Sequence, residues 1–155
     1  MADTTKWSLG IASRGGTFIV IIPKGTPLPA KRRVVVTTTE DDQPNIGLDI
    51  RLGEESRAAE NLAFSCVRLD DVEKAARGVP RVKLTFYAYA NSVYNIGVRY
   101  KDDSPEQLLT VFPSFGMSEE QVTAIHNKIS KMAETCQPLE LETLAGATIP
   151  LPSIK

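Results

Sequence analysis

The chain has 155 residues, 42% hydrophobic and 24% charged, and a formal net charge of -1. That size and apolar content suit one globular domain with its own core, and the near-neutral charge, with no basic run longer than Lys31-Arg32-Arg33, excludes the electrostatic footprint of a nucleic-acid binder. No apolar stretch reaches the roughly 18 residues of a membrane helix, and Met1-Ala2-Asp3-Thr4-Thr5-Lys6 lacks a signal-peptide core, so a soluble, cytoplasmic protein without a membrane partner is expected.

From Trp7 to Phe112, short β-branched runs alternate with Gly, Pro, Asn and Asp. The pattern predicts eight strands: Trp7–Ala12, Thr17–Ile22, Arg32–Thr39, Ile46–Leu52, Ala63–Leu69, Arg81–Ala88, Val93–Arg99 and Leu108–Phe112. In the fourth, Ile46, Leu48, Ile50 and Leu52 alternate with Gly47, Asp49 and Arg51; in the sixth, Val82, Leu84, Phe86 and Ala88 alternate with Arg81, Lys83, Thr85 and Tyr87. Each strand thus has one apolar and one wet face. Sheets of that kind must pack against a second layer, so residues 1–116 are expected to form a two-sheet sandwich.

After Gly116 the period changes. Ser118-Glu119-Glu120-Gln121 has capping-box spacing, and Val122, Ile125, Ile129 and Met132 fall on one helical stripe, predicting an amphipathic helix over 117–136. Residues 137–155 show no clear period, and Pro150 and Pro152 argue against helix, so an irregular tail is expected. The fold class is therefore mainly β, an eight-stranded sandwich followed by one C-terminal helix.

Chemistry-bearing residues are sparse. Cys66 and Cys136 are far apart in sequence and lack a second ligand pair, which supports neither a zinc site nor a disulfide framework. His126 stands within the helical stretch beside Ile125 and Asn127, with no Cys or Asp pattern that would complete a triad or a metal box. No cofactor and no metal are expected, and no catalytic residue can be assigned.

Ser8-Leu9-Gly10-Ile11, Gly15-Gly16, Ile22-Pro23-Lys24, Pro29, Asp42-Gln43-Pro44, Gly53-Glu54 and Arg77-Gly78-Val79-Pro80, in that order and spacing, closely resemble the β-sandwich substrate-binding subdomain of the Hsp70 chaperones. The resemblance runs from about Asp3 to about Ala133. It implies a cleft that holds an extended peptide with one leucine-sized side chain in a central apolar pocket. By the same resemblance, Ile11, Ser13, Val36, Ile46, Leu48 and Val82 would line the cleft, Arg14 and Thr39 would arch over the peptide, and Arg77 would take the position that latches a helical lid. By periodicity alone, Ile11, Val36, Ile46, Leu48 and Val82 would equally fill an ordinary sandwich core.

The departures matter too. Arg14 stands where the family usually has a bulky apolar arch residue, Val36 where an aromatic one is common, and Tyr87-Ala88-Tyr89-Ala90-Asn91-Ser92-Val93-Tyr94 replaces a run that contains an Asn-Gly turn, Ser92 standing where the glycine would be. The sequence carries no phosphate-cradling glycine loop and only the first lid helix, so ATP-driven cycling by this chain alone is not expected. The expected function is an Hsp70-like module holding extended apolar peptides or unfolded segments. The alternative is a repurposed cleft that binds a small apolar molecule and catalyses its cyclisation or rearrangement by positioning, with Asp49, Tyr87, Tyr89 and Tyr94 as polar contributors. A third occupant is the chain's own segment Leu139 to Leu151, apolar and closely tethered.

Overall fold

The computed structural model describes residues 4–13, 15–90, 93–101, 103–111, 120–121, 123–124, 127, 131, 139–141 and 148–153. Among these, ten strands follow in chain order: β1 Leu9–Ala12, β2 Phe18–Ile22, β3 Ala30–Thr38, β4 Ile46–Leu52, β5 Leu62–Leu69, β6 Val82–Ala90, β7 Val93–Arg99, β8 Gln107–Val111, β9 Leu139–Glu140 and β10 Thr148–Leu151. A single 3-10 turn, Ala58–Glu60, precedes β5.

Alternation sorts these strands into two layers. In β4, Ile46, Leu48, Ile50 and Leu52 are buried while Asp49 and Arg51 are half-exposed. In β6, Val82, Leu84, Phe86 and Ala88 are buried on one face. One sheet has the order β2-β1-β4-β5, and the other β10-β3-β6-β7-β8 with β9 also on β3. Their facing sides share one core that includes Leu9, Ile11, Ile21, Val34, Val36, Leu48, Phe64, Phe86 and Ile96. Removing each such side chain from water stabilises the fold by about 1.5–3 kcal/mol. Phe64 and Tyr94 meet edge to face in that core, ring centroids 5.3 Å apart at 88°.

The sandwich and its two sheets agree with the sequence reading, but the strand count does not. The tail expected to be irregular contributes β9 and β10, both parallel to β3. Proline is incompatible with a central strand, yet an edge strand tolerates it wherever the missing N–H would face outward. Ile149-Pro150-Leu151-Pro152 alternates in that manner. Of the helix expected over 117–136, only Glu120, Gln121, Thr123, Ala124, Asn127 and Lys131 are described; their backbone is helical, and no complete helix is defined there. His126, Cys136, Arg14 and the Asn91-Ser92 turn lie outside the described residues. None of the helices among the described residues is long and apolar enough to cross a membrane.

Several motif residues have purely architectural roles. The Ser8 hydroxyl donates to Glu54 Oε1 at 2.6 Å and accepts from the Lys24 N–H at 2.9 Å, which ties the entry of β1 to the turns after β2 and β4. Arg32 bridges the layers, its Nη1 donating to the Ile21 carbonyl at 2.8 Å. Gly10 is required by close approach: a Cβ there would overlap the Ile19 carbonyl and lie 2.7 Å from the Phe18 ring. Gly10→Ala should therefore lower stability by about 1–3 kcal/mol, as overpacking does. A denaturant melt with an unchanged midpoint would contradict this packing.

Candidate functional site

β3 is the strand on which the candidate site is built. On one side it pairs antiparallel with β6, Val36 opposite Val82. Its other edge is completed by sequence-distant segments: Leu139 opposite Ala30, and Thr148, Ile149, Pro150 and Leu151 opposite Val35, Val36, Thr37 and Thr38. The Leu141 N–H adds a bond to the Lys31 carbonyl at 2.8 Å. Because successive side chains point to opposite faces, Ile149 and Leu151 enter the core, 3% and 0% exposed, while Pro150 and Pro152 remain outside.

Gln43, 2% exposed, holds the far end of this segment. Its Oε1 accepts from the Thr39 N–H at 3.0 Å, the Thr39 hydroxyl at 3.2 Å and the Glu40 N–H at 3.2 Å. Its Nε2 donates to the Asn45 carbonyl at 2.7 Å and to the Leu151 carbonyl at 2.9 Å. One amide thus folds the loop between β3 and β4 and clamps the segment that lies beside it. The Gly47 N–H completes the grip by donating to the Pro152 carbonyl at 2.9 Å.

The loop before β6 braces the same end of β3. Gly78, at φ +78°, adopts the left-handed conformation that favours glycine, and its N–H donates to the Thr38 hydroxyl at 3.1 Å. The Thr37 hydroxyl donates to the Pro80 carbonyl, and the Arg77 N–H donates to Asp41 Oδ1 at 2.9 Å. Arg77-Gly78-Val79-Pro80 therefore fixes where β3 ends and β6 begins.

Ile11, Val36, Ile46, Leu48 and Val82 all belong to the one core cluster that Ile149 and Leu151 enter, and none is more than 2% exposed. Thr39 is buried on Gln43. Ser13 forms the turn at the end of β1, its N–H donating to the Thr17 carbonyl at 2.9 Å and its hydroxyl to the same atom at 3.1 Å. Arg77 is exposed at the far side of the β3 end. Gln43 and Gly47 were missed as segment-holding residues. The motif Asp42-Gln43-Pro44 marked Gln43 as retained, but nothing local in the sequence revealed a partner 108 residues away.

The polar residues considered for small-molecule chemistry do not converge. Asp49 pairs with Arg51 at 3.1 Å on the four-stranded sheet, Tyr87 and Tyr89 stack 6.0 Å apart on the six-stranded one, and Tyr94 is in the core. A depression of about 460 Å3 on the outside of the six-stranded sheet is lined by Arg33, Lys83, Thr85, Tyr87, Arg99 and Glu106. It is charged rather than apolar. Burial first, and then the Glu106 carboxylate, push the Tyr87 hydroxyl above its ordinary pKa. Partial burial and Asp49 raise the Cys66 thiol, opposed by Arg51, so Cys66 is no activated nucleophile. No group of acidic, His and Cys side chains among the described residues could hold a metal.

The fold is a two-sheet β-sandwich in which an extended segment from late in the chain lies along the outer edge of β3. A family model described as Hsp70 protein matches residues 1–142. Over 122 residues the chain is 33% identical to the chaperone protein DnaK of Mycoplasma mycoides subsp. mycoides SC (strain CCUG 32753 / NCTC 10114 / PG1), a match covering 79% of this chain and 21% of that protein. The chain belongs to the Hsp70 family, and it spans about a fifth of the length of that relative.

Gln43→Glu should separate the two roles of this side chain. A carboxylate still accepts from Thr39 and Glu40 but faces the Asn45 and Leu151 carbonyls without a proton to donate. Stability should fall by about 1–3 kcal/mol, and hydrogen exchange at Ile149 and Leu151 should accelerate at least about tenfold, with β6 and β7 retaining more protection. Unchanged exchange at Leu151 would show that the amide does not hold the segment.

Proposed function

We propose that the chain holds extended apolar peptide segments by adding them as a strand to the outer edge of β3, one leucine-sized side chain entering the space bounded by Ile11, Val36, Ile46, Leu48 and Val82. By the family resemblance, Ser13, Arg14 and Thr39 would border that space and Arg77 would take the lid-latch position; Arg14 lies outside the described residues. The observation that carries this reading is the chain's own residues 148–151, extended in parallel register on β3 with Leu151 wholly buried and its carbonyl on Gln43. Membership of the Hsp70 family adds chaperone-like holding of unfolded segments.

Burying one leucine supplies about 1.5–3 kcal/mol, whereas micromolar binding needs about 8 kcal/mol. Main-chain pairing along β3 must contribute much of the difference, as in other cases of strand addition. Strand addition itself requires no nucleotide, so holding by this domain is independent of ATP.

An alkylated backbone tests this without altering the protein. A fluorescent decapeptide with a central leucine should bind with a Kd of up to about 1 mM in the absence of ATP. The same peptide N-methylated at that leucine, unable to donate to an edge strand, should bind at least about tenfold more weakly, equivalent to 1.4 kcal/mol. Equal anisotropy titrations for the two peptides would rule out strand addition. Val82→Phe, which enlarges a floor residue, should also weaken binding of the unmodified peptide in a folded variant.

A further inference from the structure

We infer that residues 148–152 regulate the edge they occupy, as a competitive inhibitor built into the same chain. The inference rests on the peptide-holding reading above and adds to it what must leave before an outside segment can enter.

The segment satisfies every requirement the edge imposes. It pairs with β3 from Val35 to Thr38, it places Ile149 and Leu151 in the core, and its last two carbonyls accept from Gln43 Nε2 and the Gly47 N–H at 2.9 Å each. An outside peptide cannot use those donors or that strand edge while they are engaged. The competitor is also tethered: β9 pairs with the start of β3 at Ala30 and Lys31, so residues 142–147 alone separate β10 from an anchor on the same strand.

Tethering turns modest intrinsic affinity into dominant occupancy. A tether of six residues gives an effective concentration on the order of 1 mM. Set against an intrinsic Kd of about 10–100 μM for one weakly held segment, the edge is closed about 10–100 times more often than it is open. Only about 1–10% of molecules are then competent, and apparent affinity for outside peptides is reduced by that fraction. The segment's prolines suit it to this role. Pro150 and Pro152 cannot donate outward, so β10 ends the sheet without offering a full edge to further strands.

The test uses the full chain and a fluorescein-labelled peptide with the sequence of residues 146–155. Leu151→Asp, which evicts the buried side chain, should bind this peptide at least about tenfold more tightly than the wild type. A second pair of substitutions covers the case in which that variant does not fold. Val35→Cys with Thr148→Cys, in a Cys66→Ser, Cys136→Ser background, joins positions that are neighbours in the β3–β10 register, at a strand spacing of about 4.8 Å that suits a disulfide. The oxidised chain should lose peptide binding, and a reductant should restore it. Equal, measurable affinity in the wild type and a folded Leu151→Asp would overturn the regulatory role while leaving peptide holding intact. So would an oxidised chain that binds as tightly as its reduced form. Absence of binding in every folded form up to about 1 mM peptide would instead overturn the peptide-holding reading, and this inference with it.

Discussion

A strand at the margin of a sheet carries a row of N–H and C=O groups that cannot be left dry without a partner. β3 is such a strand on the side away from β6, and the surroundings of its end follow from that condition. The loop after it is folded on Gln43, the loop before β6 is fastened to Thr37 and Thr38, and residues from the end of the described chain are laid along it. None of these contacts involves a charged catalytic group. The local chemistry is that of backbone pairing, with buried amide and hydroxyl groups setting the geometry.

Energetically, the positions proposed to receive a segment cannot be distinguished from the core. Val36 and Val82 are a cross-strand pair within the six-stranded sheet, and Ile11, Ile46 and Leu48 belong to the opposing sheet. The same apolar surface that holds the layers together is what an entering leucine would meet. Stabilising the sandwich and holding a segment are thus two uses of one cluster, and a cavity-forming change there would weaken both. The polar depression beneath Arg33, Arg99 and Glu106 lies on the opposite face of the β3 sheet and contributes to neither.

The strands of the sandwich were legible because Ile46, Leu48, Ile50 and Leu52, like Val82, Leu84, Phe86 and Ala88, repeat at the strand period over enough residues to exceed noise. β10 was not, for two physical reasons. It has only four residues, and one of them is a proline, normally read as an interruption. What makes it a strand is the available edge of β3, a property of distant residues. The candidate site shows the same division. Its apolar positions came from resemblance, since burial makes floor and core alike in sequence, and the segment-holding role of Gln43 depends on a carbonyl 108 residues further along. Arg77-Gly78-Val79-Pro80 stood out through the resemblance alone, and its bonds to Asp41, Thr37 and Thr38 give it an architectural role that depends on distant residues.

The parallel register of β10 on β3 gives this edge a sense of direction. Bonds in a parallel ladder are slanted and evenly spaced, whereas those in an antiparallel one are perpendicular and alternately close and wide, so a segment running the other way along β3 would need a different bonding pattern. The N-terminal side of the captured segment lies at Val35 and its C-terminal side at Gln43 and Gly47, where side-chain and main-chain donors await carbonyl oxygens. A segment running the other way would bring side chains to the same apolar surface with its carbonyls offset from Gln43 and Gly47 relative to those of Leu151 and Pro152. Residues 148–151 thus meet β3 with a defined polarity, their side chains set by alternation and their last carbonyl by the Gln43 amide.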